Sequence, residues 1–400
     1  MTVAGSVAAA IISILFACQG VRPKTESIGI IVKHIFHPND NPNIVGGKTL
    51  CDGRRNLRSS IGRTLIRAQA HCGAIMVSID YMAHQEQYSP SELLHYSQLA
   101  ADAGYEFIWT SDHFHPWFHT DAEAGFAWSW LGAATQQVDI PIGTYVTPAS
   151  EHYHPAVIAQ AFSTLQEMHD KRVVLGLSTG EAMNETPLGH DWPDYPVRRD
   201  RLEETLEIIE RLWESDGFVD YEGDHFDLDG ARLYTRADQD PEIHVAANGP
   251  STAKLASEYG DGFMTVKTGK EFTERLYPAV RSYTEERGRN PDEMETTVLV
   301  IVSYDPDYER AYKATRPWWA TTQNVFDRAL SNPKEIEAVG GEATREEVEE
   351  KFLIADDPAT IAAELQRIAD MGFDRIALGN TSPNPEMLFE VMGDEVIPTV

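Results

Sequence analysis

The chain has 400 residues, 42% of them hydrophobic, and a formal net charge of −30 at pH 7. That apolar content supports a large buried core and excludes a disordered chain, while the negative excess repels phosphate backbones and argues against a nucleic-acid partner. The charge is uneven: residues 1–70 carry nine Lys/Arg against three acids, which leaves 24 against 60 on the remainder.

Residues 8–18 form an apolar run ending at Cys18, but no Lys or Arg precedes it, so it lacks the charged head of an export signal. Residues 19–72 show no sustained period and are rich in turn clusters such as Pro38-Asn39-Asp40-Asn41-Pro42-Asn43. Charge sign, cysteine usage and patterning all change near Met76. The expectation is an extension over residues 1–73 without a folded role, an enzyme that begins at Met76, and one domain over 74–400. Cys18, Cys51 and Cys72 all lie in or beside the basic head, so disulfides and thiol chemistry play no part in the body. The body has seven lysines, and its acids are spread over predicted helices. That pattern reads as a strongly hydrated surface suited to concentrated salt, in the cytoplasm of a halophile, with no membrane partner.

Downstream, strand and helix signals alternate. Strands are predicted near 75–81, 106–111, 140–147, 172–178, 242–247, 261–266, 296–303 and 374–379. Helical patterns fall near 90–103, 124–137, 155–169, 198–214, 251–259, 271–288 and 358–371, the first opened by Ser89 as cap and Pro90 as first helical residue. Helices between successive strands are crossovers, so the sheet is parallel. Eight such alternations predict an α/β fold of the (β/α)8 barrel type, with residues 305–356 as a helical insertion after the seventh strand, over the active-site face. An open doubly wound sheet is the alternative, but no Gly-x-Gly-x-x-Gly turn follows the first strand.

A barrel carries its reacting groups where strands end. Those ends read Gln85-Glu86-Gln87-Tyr88, Asp112-His113-Phe114-His115-Pro116-Trp117, Thr144-Tyr145-Val146-Thr147-Pro148, Thr179-Gly180-Glu181 and Asn248-Gly249-Pro250-Ser251-Thr252. The last opens a helix whose free N–H groups suit an anion, and Lys270 could reach the same anion. A different class starts from Asp112, His113, His115 and His119 as metal ligands of a barrel hydrolase. Against it, the later strand ends supply Thr, Gly, Glu and Asn rather than further metal ligands, so no metal is expected.

From Met76 onward the chain resembles the bacterial luciferase-like superfamily, and within it the dehydrogenases dependent on the deazaflavin coenzyme F420. The resemblance is carried by Ser111-Asp112-His113-Phe114-His115-Pro116-Trp117, Tyr153-His154-Pro155-Ala156-Val157-Ile158-Ala159-Gln160-Ala161-Phe162, Gly180-Glu181-Ala182-Met183-Asn184-Glu185, Ala247-Asn248-Gly249-Pro250 and Ser303-Tyr304-Asp305-Pro306-Asp307. It implies a coenzyme F420 site lined by Asp112, Thr147, Thr179, Gly180, Asn184, Asn248, Gly249, Ser251 and Thr252, a non-proline cis peptide between Thr144 and Tyr145, and a homodimer.

The implied activity is hydride transfer between the carbinol carbon of an alcohol or sugar-type small molecule and the deazaflavin C5. His113 is the candidate base, since an imidazole pKa near 6.5 suits neutral pH, and Asp112 or another acceptor fixes its tautomer. Glu181 is the candidate acid at the N1 side of the ring, which requires a raised pKa. Trp117 and Trp318 wall the substrate pocket, with an indole N–H available to the substrate oxygen. Glu86 is placed near His113. Members that oxidise glucose 6-phosphate hold the phosphate with basic residues, and the corresponding positions here are Asp327, Lys351 and Lys270. A carboxylate facing a phosphate is unfavourable, which favours a simple alcohol.

Overall fold

Val173-Val174-Leu175-Gly176-Leu177-Ser178 is buried at every position, the signature of a strand covered on both faces. The computed structural model describes residues 77–400 apart from Asn324 and the side chain of Asp327. The expected extension over 1–73, the start at Met76 and the role of Asp327 therefore lie outside the described residues.

In chain order the strands are β1 (Ser78–Ala83), β2 (Ile108–Thr110), β3 (Ile142–Thr144), β4 (Thr147–Pro148), β5 (Val173–Ser178), β6 (Val219–Glu222), β7 (Asp227–Ala231), β8 (Glu242–Ala246), β9 (Gly262–Thr265), β10 (Glu295–Tyr304), β11 (Leu353–Ala355) and β12 (Arg375–Asn380). Pairing runs in parallel from β1 through β2, β3 with β4, β5, β8, β9, β10 and β12, and β12 returns to β1. The sheet closes on itself as an eight-stave barrel, β3 and β4 forming one interrupted stave.

Helices wrap the outside, among them α1 (Pro90–Asp102), α2 (Ala127–Ala134), α3 (Pro155–Met168), α4 (Ala182–Glu185), α5 (Tyr195–Glu214) and α6 (Pro250–Tyr259). Helix α1 starts where Ser89 and Glu92 form a capping box. Two elements escape the sequence pattern. The β6–β7 pair is a short antiparallel hairpin, β6 alternating between partly and fully exposed residues and β7 burying Leu228 alone, too polar to register as a core strand. The segment 305–356, expected to be helical, ends in β11, which pairs in parallel with β10. Three residues are too few for a period to show.

The barrel interior holds Met82, Phe107, Trp109, Tyr145, Val174, Met264 and Ala377, with Phe107 and Trp109 stacked at 3.8 Å. Its lower end is closed by charge. Arg375 grips Asp80 at 2.7 and 2.8 Å, Trp109 Nε1 donates to Asp80 at 2.8 Å, and Arg172 donates to Glu242 and Glu295 at 3.0 Å each. Both guanidinium groups lie over the Phe107 ring. At the opposite end a second apolar cluster, including Trp117, Phe118, Met183, Trp318, Val348 and Phe352, seats the 305–356 segment over the strand ends. The top is thus roofed by side chains while remaining open to a large cavity.

Candidate active site

Side chains alternate along a strand, and the alternation continues past β2: Ser111 and His113 line the cavity, whereas Asp112 between them turns outward. Asp112 is 2% exposed and accepts hydrogen bonds from Thr147 Oγ1 at 2.8 Å, Trp128 Nε1 at 2.9 Å and the Tyr153 hydroxyl at 3.1 Å. Burial raises its pKa to about 6 despite those donors. Its place is behind the wall, tying β2 to β4 and to the outer layer.

His113 is held from two sides. Its Nδ1 pairs with Glu86 Oε1 in a very short contact, and its Nε2 lies 3.9 Å from Glu181 Oε2. Burial pulls the imidazole down, but the charge and hydrogen bond of Glu86, followed by Glu181 and Asp112, hold it up at about 9. Glu86 shows the converse: burial raises it, yet His113, His84 and the Ser111 hydroxyl at 2.7 Å bring it to about 2. The acceptor that fixes the imidazole is therefore Glu86, and at neutral pH the ring is an imidazolium. The expectation of a neutral base near pKa 6.5 is corrected by two carboxylates that the sequence leaves 27 and 68 residues away. Glu181 is raised by burial, against the charges of His113 and Arg198. It occupies the N-cap position of α4 without a capping bond from its side chain, three residues before Asn184, whose amide donates back to it at 3.2 Å and accepts from Phe114 N at 2.9 Å. Asn184 thus braces the wall from behind.

The cavity measures about 1140 Å³. Met82, Tyr145, Val146, Met264 and Leu299 give it an apolar floor, and Tyr145 donates its hydroxyl to Thr265 O at 2.8 Å. The cis peptide falls between Tyr145 and Val146, one residue later than expected, in the gap between β3 and β4; Thr144 is buried and bonds to Gly176 O at 3.2 Å without facing the cavity. Thr147 is likewise buried against Asp112. Thr179 and Gly180 form one wall, with Gly180 at φ +75, a region that favours glycine. Asn248, Gly249, Ser251 and Thr252 form another at the start of α6, where no side chain caps the helix and a Cβ on Gly249 would meet no atom within 4 Å. Free amides and an open approach meet there.

Trp117 stands edge-on to His113, ring centroids 5.6 Å apart. Trp318 comes from the segment above, but its indole N–H is committed to Gln87 Oε1 at 3.0 Å. Lys351 lines the cavity and keeps solvent access, its ammonium pKa drawn down by the surrounding protein and by Lys267. Lys270 is exposed and is not among the lining residues, because the chain turns away at Gly269 with φ +62. The donors suggested for a metal do not converge: Asp112 is saturated, His113 is bound to Glu86, and His115 Nδ1 is 2.9 Å from Ser331 O.

Among the lining residues not anticipated are His84, Tyr195 and Arg198. His84 lies two positions before Glu86 on the same face, so alternation alone would have found it. Tyr195 and Arg198 come from α5, remote from any strand end, and carried no signal. Arg198 stacks on Trp192 at 4.3 Å and donates Nε to Pro193 O at 3.2 Å.

A family model described as luciferase-like monooxygenase matches residues 74–375. The chain belongs to this family. An F420-dependent glucose-6-phosphate dehydrogenase of Microbacterium testaceum is 36% identical over 330 residues, covering 81% of this chain and 97% of the relative. The protein of the same description from Amycolatopsis mediterranei is 33% identical over 328 residues, covering 81% and 98%. Among solved structures, an F420-dependent secondary alcohol dehydrogenase in complex with an F420-acetone adduct shares 36% identity at a TM-score of 0.79, covering 81% of this chain and 99% of that one. A coenzyme F420-dependent tetrahydromethanopterin reductase from Methanopyrus kandleri, 23% identical with a TM-score of 0.68, shares the family's barrel.

Proposed function

We propose that this protein is a coenzyme F420-dependent dehydrogenase acting on the CH–OH group of an alcohol. The observation that carries the reading is the His113 imidazole, clamped between Glu86 and Glu181 on the wall of a cavity of about 1140 Å³. That volume exceeds the roughly 300–1,000 Å³ of ordinary ligand sites and leaves room for a tricyclic ring with a substrate beside it. The apolar floor suits a planar ring, and the uncapped start of α6, opened by Gly249, suits an anionic tail. Bound there, F420 supplies a carbon centre, C5 of its deazaflavin, that exchanges two electrons as a hydride.

Each side chain then has a task. Asn248, Gly249, Ser251 and Thr252 hold the anionic part, and Thr179, Gly180 and Tyr145 flank the ring. Asp112, Thr144, Thr147 and Asn184 keep those walls in place from behind. His113 Nε2 gives its proton to a carbonyl oxygen during reduction and must first lose that proton to serve alcohol oxidation. Glu181, its pKa raised by burial, is the acid we assign to the ring's N1 side. Trp117 and Trp318 exclude water and shape the substrate space.

Glucose 6-phosphate is the second reading, favoured by relatives of that name. Against it stands Lys270, exposed and outside the cavity; of the positions matched to the phosphate-holding residues, Lys351 does line it. Titration with F420 and with FMN, followed by turnover of secondary alcohols and of glucose 6-phosphate in high salt, tests the proposal. F420 binding with alcohol-dependent bleaching is expected; preference for FMN refutes it, and turnover of the sugar phosphate alone selects the second reading. We read the acidic surface as cytoplasmic adaptation to salt and the working form as a homodimer, which light scattering checks.

A further inference from the structure

His84 follows directly on β1 and lines the cavity, yet it is 3% exposed and neither ring nitrogen has a hydrogen-bond partner among the described residues. An imidazole buried in that condition is unfavourable unless something else completes it. The surroundings are nevertheless shaped for this ring. A Cβ on Gly379 would lie 2.2 Å from His84 Nε2, so the glycine of β12 makes its space. Trp318 covers one side, ring centroids 4.2 Å apart, and is itself fixed by its bond to Gln87.

The neighbouring carboxylate does not satisfy the ring. Glu86 Oε2 is 3.9 Å from His84 Nδ1 and accepts instead from Ser111, while Oε1 is taken by His113. Burial holds the His84 pKa down at about 4, so the ring is neutral near pH 7 and offers one donor and one acceptor. The charged groups that act on it are Glu86 and His113, whose opposite charges offset each other, with no lysine or arginine among the described residues joining them. A phosphate or carboxylate would call for an uncompensated cation at this corner; a hydroxyl or carbonyl needs only a neutral partner.

We propose that His84 is a substrate-specificity residue whose imidazole hydrogen-bonds a second oxygen of the substrate, adjacent to the carbinol served by His113, so that the enzyme takes uncharged alcohols bearing a neighbouring hydroxyl or carbonyl group. Both imidazoles face the one Glu86 carboxylate, His84 Nδ1 at 3.9 Å and His113 Nδ1 in a very short contact, so the two held oxygens lie close together on the substrate. The inference rests on the dehydrogenase reading above.

The test compares kcat/KM for propane-1,2-diol and propan-2-ol on the F420-loaded protein, two substrates that differ by one hydroxyl. A site built to bond that hydroxyl favours the diol by about tenfold or more. His84→Phe, which keeps an aromatic ring against Trp318, brings the ratio to near one, and His84→Gln, whose amide keeps a donor and an acceptor, restores part of it. Without cofactor, the His84 ring-nitrogen NMR signals shift on adding hydroxyacetone and stay in place with acetone. Equal wild-type turnover of both alcohols, or a diol preference that survives in His84→Phe, overturns the inference. Should His84→Phe fail to fold, His84→Gln and the NMR titration decide it. No turnover of either alcohol sinks the dehydrogenase reading instead, and the NMR response still decides whether His84 binds a second oxygen.

Discussion

Replacing Glu86 by Gln preserves the size of the side chain and one acceptor oxygen but removes the charge that holds the His113 proton. His113 sits at about 9 against an ordinary imidazole value of about 6.5. That difference corresponds to about 3 kcal/mol of preference for the imidazolium, at 1.36 kcal/mol per unit. With the wild-type value, roughly 1% of the ring is neutral at pH 7, so kcat/KM for alcohol oxidation should rise about tenfold per pH unit and level off above about 9. Carbonyl reduction should run the other way, level below that point and falling beyond it. In Glu86→Gln, burial continues to pull the ring down while only the weaker contributions of Glu181 and Asp112 oppose it, so the midpoint should drop by about two units or more. The assay is the pH profile of F420 reduction, with His113 followed independently by NMR. A variant midpoint that stays near 9, or a flat wild-type profile across that range, refutes the assignment of the shift to Glu86.

The same pair should appear in stability: His113 binds its proton more tightly folded than unfolded, so its contribution is whole below about pH 6.5 and is lost as pH rises through about 9, which urea titrations across that window will measure. Arg375→Met strands the buried Asp80 carboxylate and should cost about 3–5 kcal/mol in chemical denaturation. Asn248→Ala and Ser251→Ala should weaken F420 affinity by about tenfold in a fluorescence titration, whereas His113→Ala should retain affinity and lose about 100-fold or more in kcat. The melting temperature should climb as KCl is raised to molar levels, because screening relieves the repulsion of a surface with net charge −30.

Much of the architecture was legible from local pattern. Strands such as Val173–Ser178 and crossover helices such as Pro90–Asp102 announce themselves through continuous apolar runs and caps, and their alternation implies a parallel barrel. The same reading located Glu86, His113 and Glu181, because a polar residue ending an apolar run in a barrel faces the top. The hairpin Val219–Ala231 and the strand Leu353–Ala355 stayed hidden because the first is exposed and the second is three residues long.

What sequence determined, then, was that Glu86, His113 and Glu181 reach the mouth of the barrel, though not that Asp112, Thr144 and Thr147 stay behind its wall. What only the tertiary structure decided was their protonation and partners. Glu86, His113 and Glu181 come from three different staves, and the imidazole becomes a cation only once closure brings both carboxylates against it in a buried setting. Asp112, adjacent to His113 in sequence, is carried to the far side of the wall by the two-residue alternation of the backbone. Coulomb energy depends on separation and burial, and neither quantity exists in a linear chain until the sheet has closed.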